Sequence, residues 1–225
     1  MKKLFSVLVI VWAFLPLSSN AQELNYGAHS GINISNFAEG SSRNAYDNSN
    51  KLGYEIGSDL RLTWTNGINL ASGISFSQTG GKFAALSDYL DATGKMTTEY
   101  PEINIKTLSV EMPIQIGYVI PLSKGLALNP FVGAYGRCAL LSIKDKVYIN
   151  GKNGAEKWNC LKQFFKDSHK IEAMKRFDYG LSCGIETFIG KHYIAGFKYK
   201  KALNSSLTQY NLKNQSYTLS VGYLF

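Results

Sequence analysis

The chain has 225 residues and a formal net charge of +8, with many tyrosines (14), phenylalanines (12) and glycines (21) but few prolines (5). Roughly two hundred residues remain after the N-terminal segment described next, which suits one domain rich in strands and turns. No basic helix or aromatic–basic motif points to nucleic acid, so a basic exported chain would instead meet anionic lipid headgroups or acidic polymers.

The first 21 residues have the pattern of a secretory signal peptide. A short basic start precedes an apolar run from Leu4 to Leu17, and Ser19 and Ala21 fit the small-x-small rule for cleavage. A transmembrane anchor is disfavoured because the apolar run is too short and no basic stop follows it. We therefore predict a cleaved signal peptide over residues 1–21 and an exported domain over residues 22–225.

Eight segments of the exported domain alternate apolar and polar residues with the period of a β-strand. In chain order they are Leu24–Ile34, Leu52–Trp64, Ile68–Thr79, Leu108–Ile120, Leu126–Ile143, Arg176–Ile189, Tyr193–Lys201 and Ser216–Phe225. The apolar face of the last segment consists of Tyr217, Leu219, Val221, Tyr223 and Phe225, and only Leu224 breaks the alternation. No further segment approaches the ~20 apolar residues of a membrane helix, so a membrane-spanning form must be a closed barrel.

The connections between these segments alternate long and short along the chain. The short ones are Thr65–Gly67, Pro121–Gly125 and Gly190–His192, and the long ones are Asn36–Lys51, Gly80–Lys106, Lys144–Lys175 and Ala202–Gln215. A soluble β-sandwich, the alternative fold, has no reason to sort its loops in this way, whereas an outer-membrane barrel does. The predicted fold is an all-β, eight-stranded antiparallel up-and-down transmembrane β-barrel with short periplasmic turns and long outer loops. Its first and last strands must pair to close the sheet.

Two local irregularities are expected within this architecture. Pro113 has no N–H for a closed ladder, which predicts a β-bulge at that position. Trp158, Leu161 and Phe165 recur at helical spacing in the third long loop, which predicts a short amphipathic helix over Ala155–Lys166.

The cysteines give no framework or metal-binding spacing. Cys138 and Cys183 each lie within apolar alternation, where a small buried thiol is the default, and Cys160 lies in the third long loop. A Cys138–Cys183 bridge is the alternative if their two strands are neighbours.

The inward faces of the predicted strands carry charges of both signs. The predicted lumen charge network comprises Glu55, Asp59, Arg61, Glu111, Arg137, Asp178, Glu186, Lys198 and Lys200, with Arg176 at the start of the sixth strand. Eight strands enclose an interior that side chains can just fill, and buried charges are tolerated when they are paired. We therefore predict a blocked lumen, and a charged conduction path is the alternative.

Signals of catalysis are weak, and no cofactor or metal is expected. His29 faces inward on the first strand, His169 lies in a loop and His192 in a turn, and none belongs to a motif with a nucleophile and an orienting group. The sequence therefore predicts that the protein is not an enzyme. His29 is expected to be a hydrogen-bonded lumen residue, and the other two histidines are expected to be solvated.

The third long loop is rich in lysine. Lysines outnumber acids in this loop. The lysines are Lys146, Lys152, Lys157, Lys162, Lys166, Lys170 and Lys175, and the acids are Asp145, Glu156, Asp167 and Glu172. Such a loop would suit the phosphates of lipopolysaccharide or an acidic glycan. The alternative is a solvated loop without a ligand.

Several segments resemble the PorT-like outer-membrane β-barrel family of Bacteroidota. Leu108–Tyr118 resembles that family's Leu-Glu-Ile-Pro-Leu segment. Asn129–Gly136 resembles its Pro-Tyr-x-x-x-Gly segment, and Arg176–Glu186 resembles its Phe-Asp-x-Gly segment. The ending is similar to Ser-Leu-x-Leu-Gly-Tyr-x-Phe, and the Ala-Gln cleavage site looks typical of the same phylum. The resemblance covers nearly all of the exported domain and implies a barrel, but it supplies no catalytic residues. Its founding member takes part in protein secretion across the outer membrane.

Two classes of function follow from these observations. The first is a non-enzymatic barrel in a Gram-negative cell envelope that presents outer loops for binding, adhesion or a structural role. The second is an accessory component of a protein secretion or transport complex, and a lipid-modifying enzyme is a minor third class. The expected partners are outer-membrane lipid or lipopolysaccharide, the barrel assembly machinery and other envelope or secretion proteins, with a monomeric chain and no nucleic acid. The terminal face that ends at Phe225 is expected to serve as the barrel-assembly signal.

Overall fold

The computed structural model describes residues 23–38, 45–85, 87–90, 96–99, 102–147, 153–159, 177–204 and 213–225. The predicted signal peptide lies outside these residues. Thirteen β-strands are found within them. They are β1 (Glu23–Ala38), β2 (Ala45–Ser49), β3 (Lys51–Thr63), β4 (Ile68–Ala85), β5 (Ser87–Leu90), β6 (Met96–Glu99), β7 (Glu102–Tyr118), β8 (Ile120–Ser123), β9 (Leu126–Val147), β10 (Asn153–Asn159), β11 (Phe177–Ile189), β12 (Tyr193–Ala202) and β13 (Lys213–Leu224). Among the described residues, no helix is long and apolar enough to cross a membrane.

Eight of these strands form one closed antiparallel barrel. Each pairs with its neighbour in the order β1, β3, β4, β7, β9, β11, β12 and β13. β13 then pairs with β1, where Tyr223 lies opposite Ala28 and Tyr217 opposite Ile34. The predicted eight-stranded up-and-down barrel is therefore confirmed, including the contact between its first and last strands.

The two faces of the wall have opposite chemistry. On β13 the outward Leu219 and Val221 are each 65% exposed, whereas the inward Ser216 and Thr218 are 1% and 0% exposed. This is the reverse of a water-soluble protein, because the apolar side chains lie outside and the polar ones are buried. An apolar wall of this extent needs an apolar solvent, and a closed barrel leaves no unpaired sheet edge in it.

Aromatic side chains mark the turn end of the outer wall. Tyr26 stacks on Phe225 with ring centroids 5.6 Å apart, and Tyr223 contacts both Phe225 and Tyr193 edge-on. A second aromatic group, Phe197, Tyr199 and Tyr217, lies nearer the loop end of β12 and β13. Aromatic girdles at both interfaces are typical of outer-membrane barrels.

The short connections are tight turns, as predicted. Gly67 and Gly190 have φ values of 87° and 67°, which glycine adopts without the steric penalty of a Cβ. The Pro121–Gly125 connection also contains strand structure, because β8 pairs with the start of β9. All three turns lie at one end of the barrel, and the described strand ends that the long connections join lie at the other.

The paired strands extend further toward the loop end than the sequence predicted. β4 and β7 stay paired until Ala84 lies opposite Glu102, so the predicted loop over Gly80–Lys106 is wrong at both of its ends. β9 continues to Val147, β10 pairs with it there, and β2 pairs with the end of β4. We call this extension, formed by β2, β10 and the loop ends of β4, β7 and β9, the upper sheet.

Two local predictions are wrong. The first residues of the predicted Ala155–Lys166 helix belong to β10, where Trp158 lies opposite Ser142 of β9, and residues 160–166 lie outside the described part. Backbone pairing with a preformed strand outweighs a three-residue helical spacing. The register is unchanged at Pro113, which lies opposite Tyr135 of β9, and the ladder bulges between Leu108 and Ser109 instead. Ser72 Oγ donates a hydrogen bond of 2.8 Å to the Pro113 carbonyl oxygen.

Candidate functional site

The interior of the barrel contains all nine residues of the predicted lumen charge network. Glu55, Asp59 and Arg61 come from β3, Glu111 from β7, Arg137 from β9, Asp178 and Glu186 from β11, and Lys198 and Lys200 from β12. The most deeply buried are Glu55 and Glu111, each 1% exposed, and Lys200, which is 2% exposed. Strand alternation places them inside, and the register between strands decides which of them meet.

The middle of the lumen is organised around the Glu55 carboxylate. Lys200 Nζ donates to Glu55 Oε2 at 2.5 Å and to Glu111 Oε1 at 2.8 Å, so one ammonium bridges two carboxylates. Lys198 Nζ donates to Glu55 Oε1 at 3.3 Å. Each of these buried charges therefore has a partner of opposite sign, which is the condition under which burial is tolerated.

His29 completes this central cluster. Its Nδ1 lies 2.8 Å from Asp59 Oδ2, and its Nε2 lies 3.4 Å from Glu55 Oε1. Two carboxylates facing the two ring nitrogens suit the doubly protonated ring, which carries a positive charge. With His29 charged, five cations face the five carboxylates of the described lumen. The prediction that His29 is a hydrogen-bonded lumen residue is confirmed, although His29 was not included in the predicted charge network.

A glycine on the neighbouring strand makes room for the imidazole. Gly57 lies opposite His29, and a Cβ on Gly57 would come within 2.8 Å of His29 Cε1. The absence of a side chain there lets the ring lie between Glu55 and Asp59, which flank Gly57 on the same face of β3. Alternation predicted an inward position for both residues but did not indicate this contact.

The turn end of the lumen is closed by a bidentate ion pair. Arg61 Nη1 and Nη2 donate to the two Glu186 oxygens at 2.6 and 2.8 Å, and Asn129 Nδ2 donates to Glu186 Oε2 at 3.0 Å. The Arg61 guanidinium also lies 5.5 Å from the centre of the Phe188 ring. Bidentate geometry makes this one of the strong types of charge-assisted hydrogen bond.

A second arginine occupies the loop end of the lumen. Arg137 Nη2 donates to Asp178 Oδ2 at 2.6 Å, and Nη1 donates to Thr79 Oγ1 at 3.3 Å. Phe37 and Ile105, 3% and 0% exposed, are buried on the inward faces of β1 and β7 at the same end. Ion pairs thus lie at both ends and in the middle of the lumen.

The remaining predictions about histidines and cysteines can be compared with the structure in part. His192 Nδ1 lies 2.9 Å from the Leu224 carbonyl oxygen, and its ring stacks on Tyr223 at 5.3 Å. His169, Arg176 and Cys160 lie outside the described residues. In the described part of the chain, no group of three or more His, Cys, Asp or Glu side chains is arranged to hold a metal ion.

The bridge considered between Cys138 and Cys183 does not form. β9 and β11 are neighbours, but Cys138 lies opposite Phe177 and Cys183 opposite Val132. Both thiols are free. The condition of neighbouring strands was met, and the register kept the two cysteines apart.

The terminal face lies on the outer wall as one apolar row. Tyr217, Leu219, Val221, Tyr223 and Phe225 are all exposed there, and the backbone N–H of Phe225 donates to the Tyr26 carbonyl oxygen at 2.8 Å. These contacts tie the end of the chain to β1. The role of this face in assembly stays a prediction.

The predicted anionic-ligand loop lies mostly beyond the described residues. Lys146 and Lys157 belong to β9 and β10, whereas Lys152, Lys162, Lys166 and Lys170 fall outside the described part of the chain, as does Lys175. Binding of an anionic ligand by this loop stays a prediction.

Comparison with known proteins bears on the architecture. The family model described as outer membrane protein beta-barrel domain matches residues 20–208. No curated protein matches the chain.

Three solved structures of bacterial surface proteins are similar at low identity. One is Ail, the attachment invasion locus protein of Yersinia pestis, solved in complex with the heparin analogue sucrose octasulfate. It is 14% identical with a TM-score of 0.43, and the match covers 91% of this chain and 100% of that one. Neisserial surface protein A is 9% identical with a TM-score of 0.44 and the same coverage. OprG of Pseudomonas aeruginosa is 13% identical with a TM-score of 0.38, covering 89% of this chain and 95% of that one. Likenesses this distant say nothing about activity.

Proposed function

Because the chain belongs to the outer membrane protein beta-barrel domain family, we propose that it is a non-enzymatic outer-membrane barrel that presents its loop end for binding. The filled lumen supports this proposal, since ion pairs at both ends and in the middle leave no obvious route for a solute. Function is then assigned to surfaces outside the lumen, as adhesion or as a structural contact in the envelope.

The upper sheet is the observation that carries the proposal. On the outer face of β7, the apolar residues Leu108, Val110 and Met112 give way to Lys106 and Asn104, so the apolar band ends there. The ladder continues beyond that point, with Glu102 of β7 opposite both Ala84 of β4 and Val147 of β9. Paired strands that extend past the apolar band form a platform at the loop end of the barrel.

The platform has two free edges for a partner. Within the part of the chain that the structure describes, β2 pairs with β4 and β10 with β9, and neither has a second neighbouring strand. An open strand edge exposes a row of unpaired N–H and C=O groups, to which an extended segment of another protein can add. Binding by strand addition is therefore the mode that this geometry favours.

Site-specific photo-crosslinking in intact cells tests this function. Crosslinking residues at Ser49 of β2 and at Trp158 of β10 should give discrete adducts with envelope or extracellular proteins. The same residue at Asn66, in a turn at the opposite end, should give none. Absence of adducts from both edges in a correctly assembled barrel would contradict the proposal.

The same experiment separates the second candidate, an accessory role in a secretion or transport complex, which the PorT-like resemblance implies. A recess of about 540 Å³ at the turn end favours it, because Arg61, Lys191, His192 and Glu23 line it together with Phe188 at the end that is predicted to face the periplasm. Crosslinking from Lys191 to a periplasmic or secretion component, without adducts from Ser49 or Trp158, would favour this role.

A further inference from the structure

A groove runs obliquely across the outer wall of the barrel, over β4, β7, β9, β11 and β12. It has a volume of about 550 Å³, and its lining is almost wholly apolar. Register places the outward side chains in and beside the groove in two parallel rows. One row is Leu70, Ile116, Val132, Cys183 and Tyr199, and the other is Ser72, Ile114, Ala134, Leu181 and Lys201.

Small residues lie along the groove where β9 and β11 meet. Ala134 and Cys183 stand in the two rows between larger neighbours, and Gly133 forms part of the floor. Leu70 lies near the turn end of β4, whereas Lys201 lies at the loop end of β12. The groove therefore leads from the apolar band up to the outer interface of the membrane, which is the course of an acyl chain in the outer leaflet.

Two lysines stand at the outer end of this groove. Lys201 and Lys213 alternate with the buried residues Lys200, Ala202 and Asn214, so both point outward. Lys201 lies opposite Gln215, which makes Lys213 its diagonal neighbour on β13, roughly 7–8 Å away along the wall. In the described residues, neither lysine has a carboxylate partner. Two unpaired ammonium groups beside an apolar groove at a membrane interface are complementary to a phosphate.

We propose that this groove binds a phosphorylated glycolipid of the outer leaflet, lipid A, with one acyl chain between the two rows and a phosphate at Lys201 and Lys213. Tyr199 lies at the same end, where an aromatic ring meets the headgroup region, and its hydroxyl is 3.4 Å from Gln215 Oε1. The site is distinct from the lumen and from the upper sheet. It does not depend on the binding function proposed above.

Native mass spectrometry of the full barrel in mild detergent, with added lipid A, tests the proposal. We expect one lipid A molecule retained by the unmodified protein and at least a tenfold lower retained fraction in the double variant Lys201→Gln/Lys213→Gln. Cys183→Phe, which fills the groove without changing the charge, should lower retention similarly. Lys191→Gln, which removes a charge at the turn end, should leave retention unchanged.

Two comparison lipids define the chemistry of the site. Dephosphorylated lipid A and phosphatidylglycerol should both be retained much less than lipid A. Three results would overturn the proposal. They are retention of either comparison lipid equal to that of lipid A, a loss of lipid A in Lys191→Gln equal to that in the double lysine variant, and no lipid A retained by the unmodified protein. Heat-modifiable gel mobility confirms that each variant is a folded barrel. The lysine variant tests the phosphate contact, and Cys183→Phe tests the acyl-chain contact separately. Crosslinking from Ser49 and Trp158 should be unaffected, so failure here is distinguishable from failure of the proposed function.

Discussion

Replacing Glu55 with alanine should lower the free energy of unfolding by about 3–5 kcal/mol, the cost of breaking a buried ion pair from one side. The Glu55 carboxylate accepts from Lys198 and Lys200 and lies beside His29, and it is 1% exposed. Its removal leaves Lys198 without its partner and Lys200 with Glu111 alone. Denaturant unfolding from lipid vesicles, followed by tryptophan fluorescence or gel mobility, measures the loss.

Two further variants control this result. Glu23→Ala removes a carboxylate at the exposed rim of the barrel and should change stability by less than about 1 kcal/mol, as exposed pairs do. Adding Lys198→Met to Glu55→Ala should recover part of the loss, because the unpaired ammonium is removed as well. A loss below about 1 kcal/mol for Glu55→Ala alone would mean that the central cluster is open to water.

Replacing Leu219 with arginine should destabilise the barrel in a bilayer by about 2–4 kcal/mol, the cost of a charge on the lipid face near mid-membrane. Leu219 is 65% exposed at the middle of β13, between the inward residues Thr218, which is buried, and Ser220, which is half-buried. If this wall faced water, the substitution would expose a charge to solvent and cost almost nothing. Equilibrium unfolding from phospholipid vesicles distinguishes the two cases.

The matched control is the same substitution at the turn end. Leu122 is 54% exposed in β8, where the wall reaches the interface, and Leu122→Arg should cost only about 0–1 kcal/mol. Equal effects at Leu219 and Leu122 would contradict a depth-dependent lipid environment. An effect confined to Leu219 would support the membrane position of the barrel.

The architecture was predictable because its cause is local. Alternation along Ser216–Phe225 reflects a wall with lipid on one side and polar contacts on the other, and this pattern is visible within a single strand. The loop ends of the strands were harder to predict. Strands such as β4 and β9 continue to pair beyond the point at which lipid imposes an alternation of apolar and polar residues. The helical spacing of Trp158, Leu161 and Phe165 led to a wrong prediction of a helix. The first of these residues belongs to β10, which is held by its pairing with β9.

The pairs inside the lumen were not predictable from the sequence. Inward positions follow from alternation, and all nine predicted residues lie inside, but Lys200 meets Glu55 across 145 positions of the chain. Arg61 meets Glu186 across 125. Which residues meet depends on the register between every pair of strands around the barrel. His29 was placed inward on its strand, yet its contacts with Glu55 and Asp59 depend on the space left by Gly57.

We propose that ion pairs fill the lumen, so that the protein acts through its outer surfaces and not as a channel. Single-channel recording of the purified, folded barrel in planar bilayers tests this directly. We expect no steady conductance from the unmodified protein across the accessible range of voltage and salt. A steady, reproducible single-channel current would contradict the filled lumen and would indicate that the protein functions as a channel.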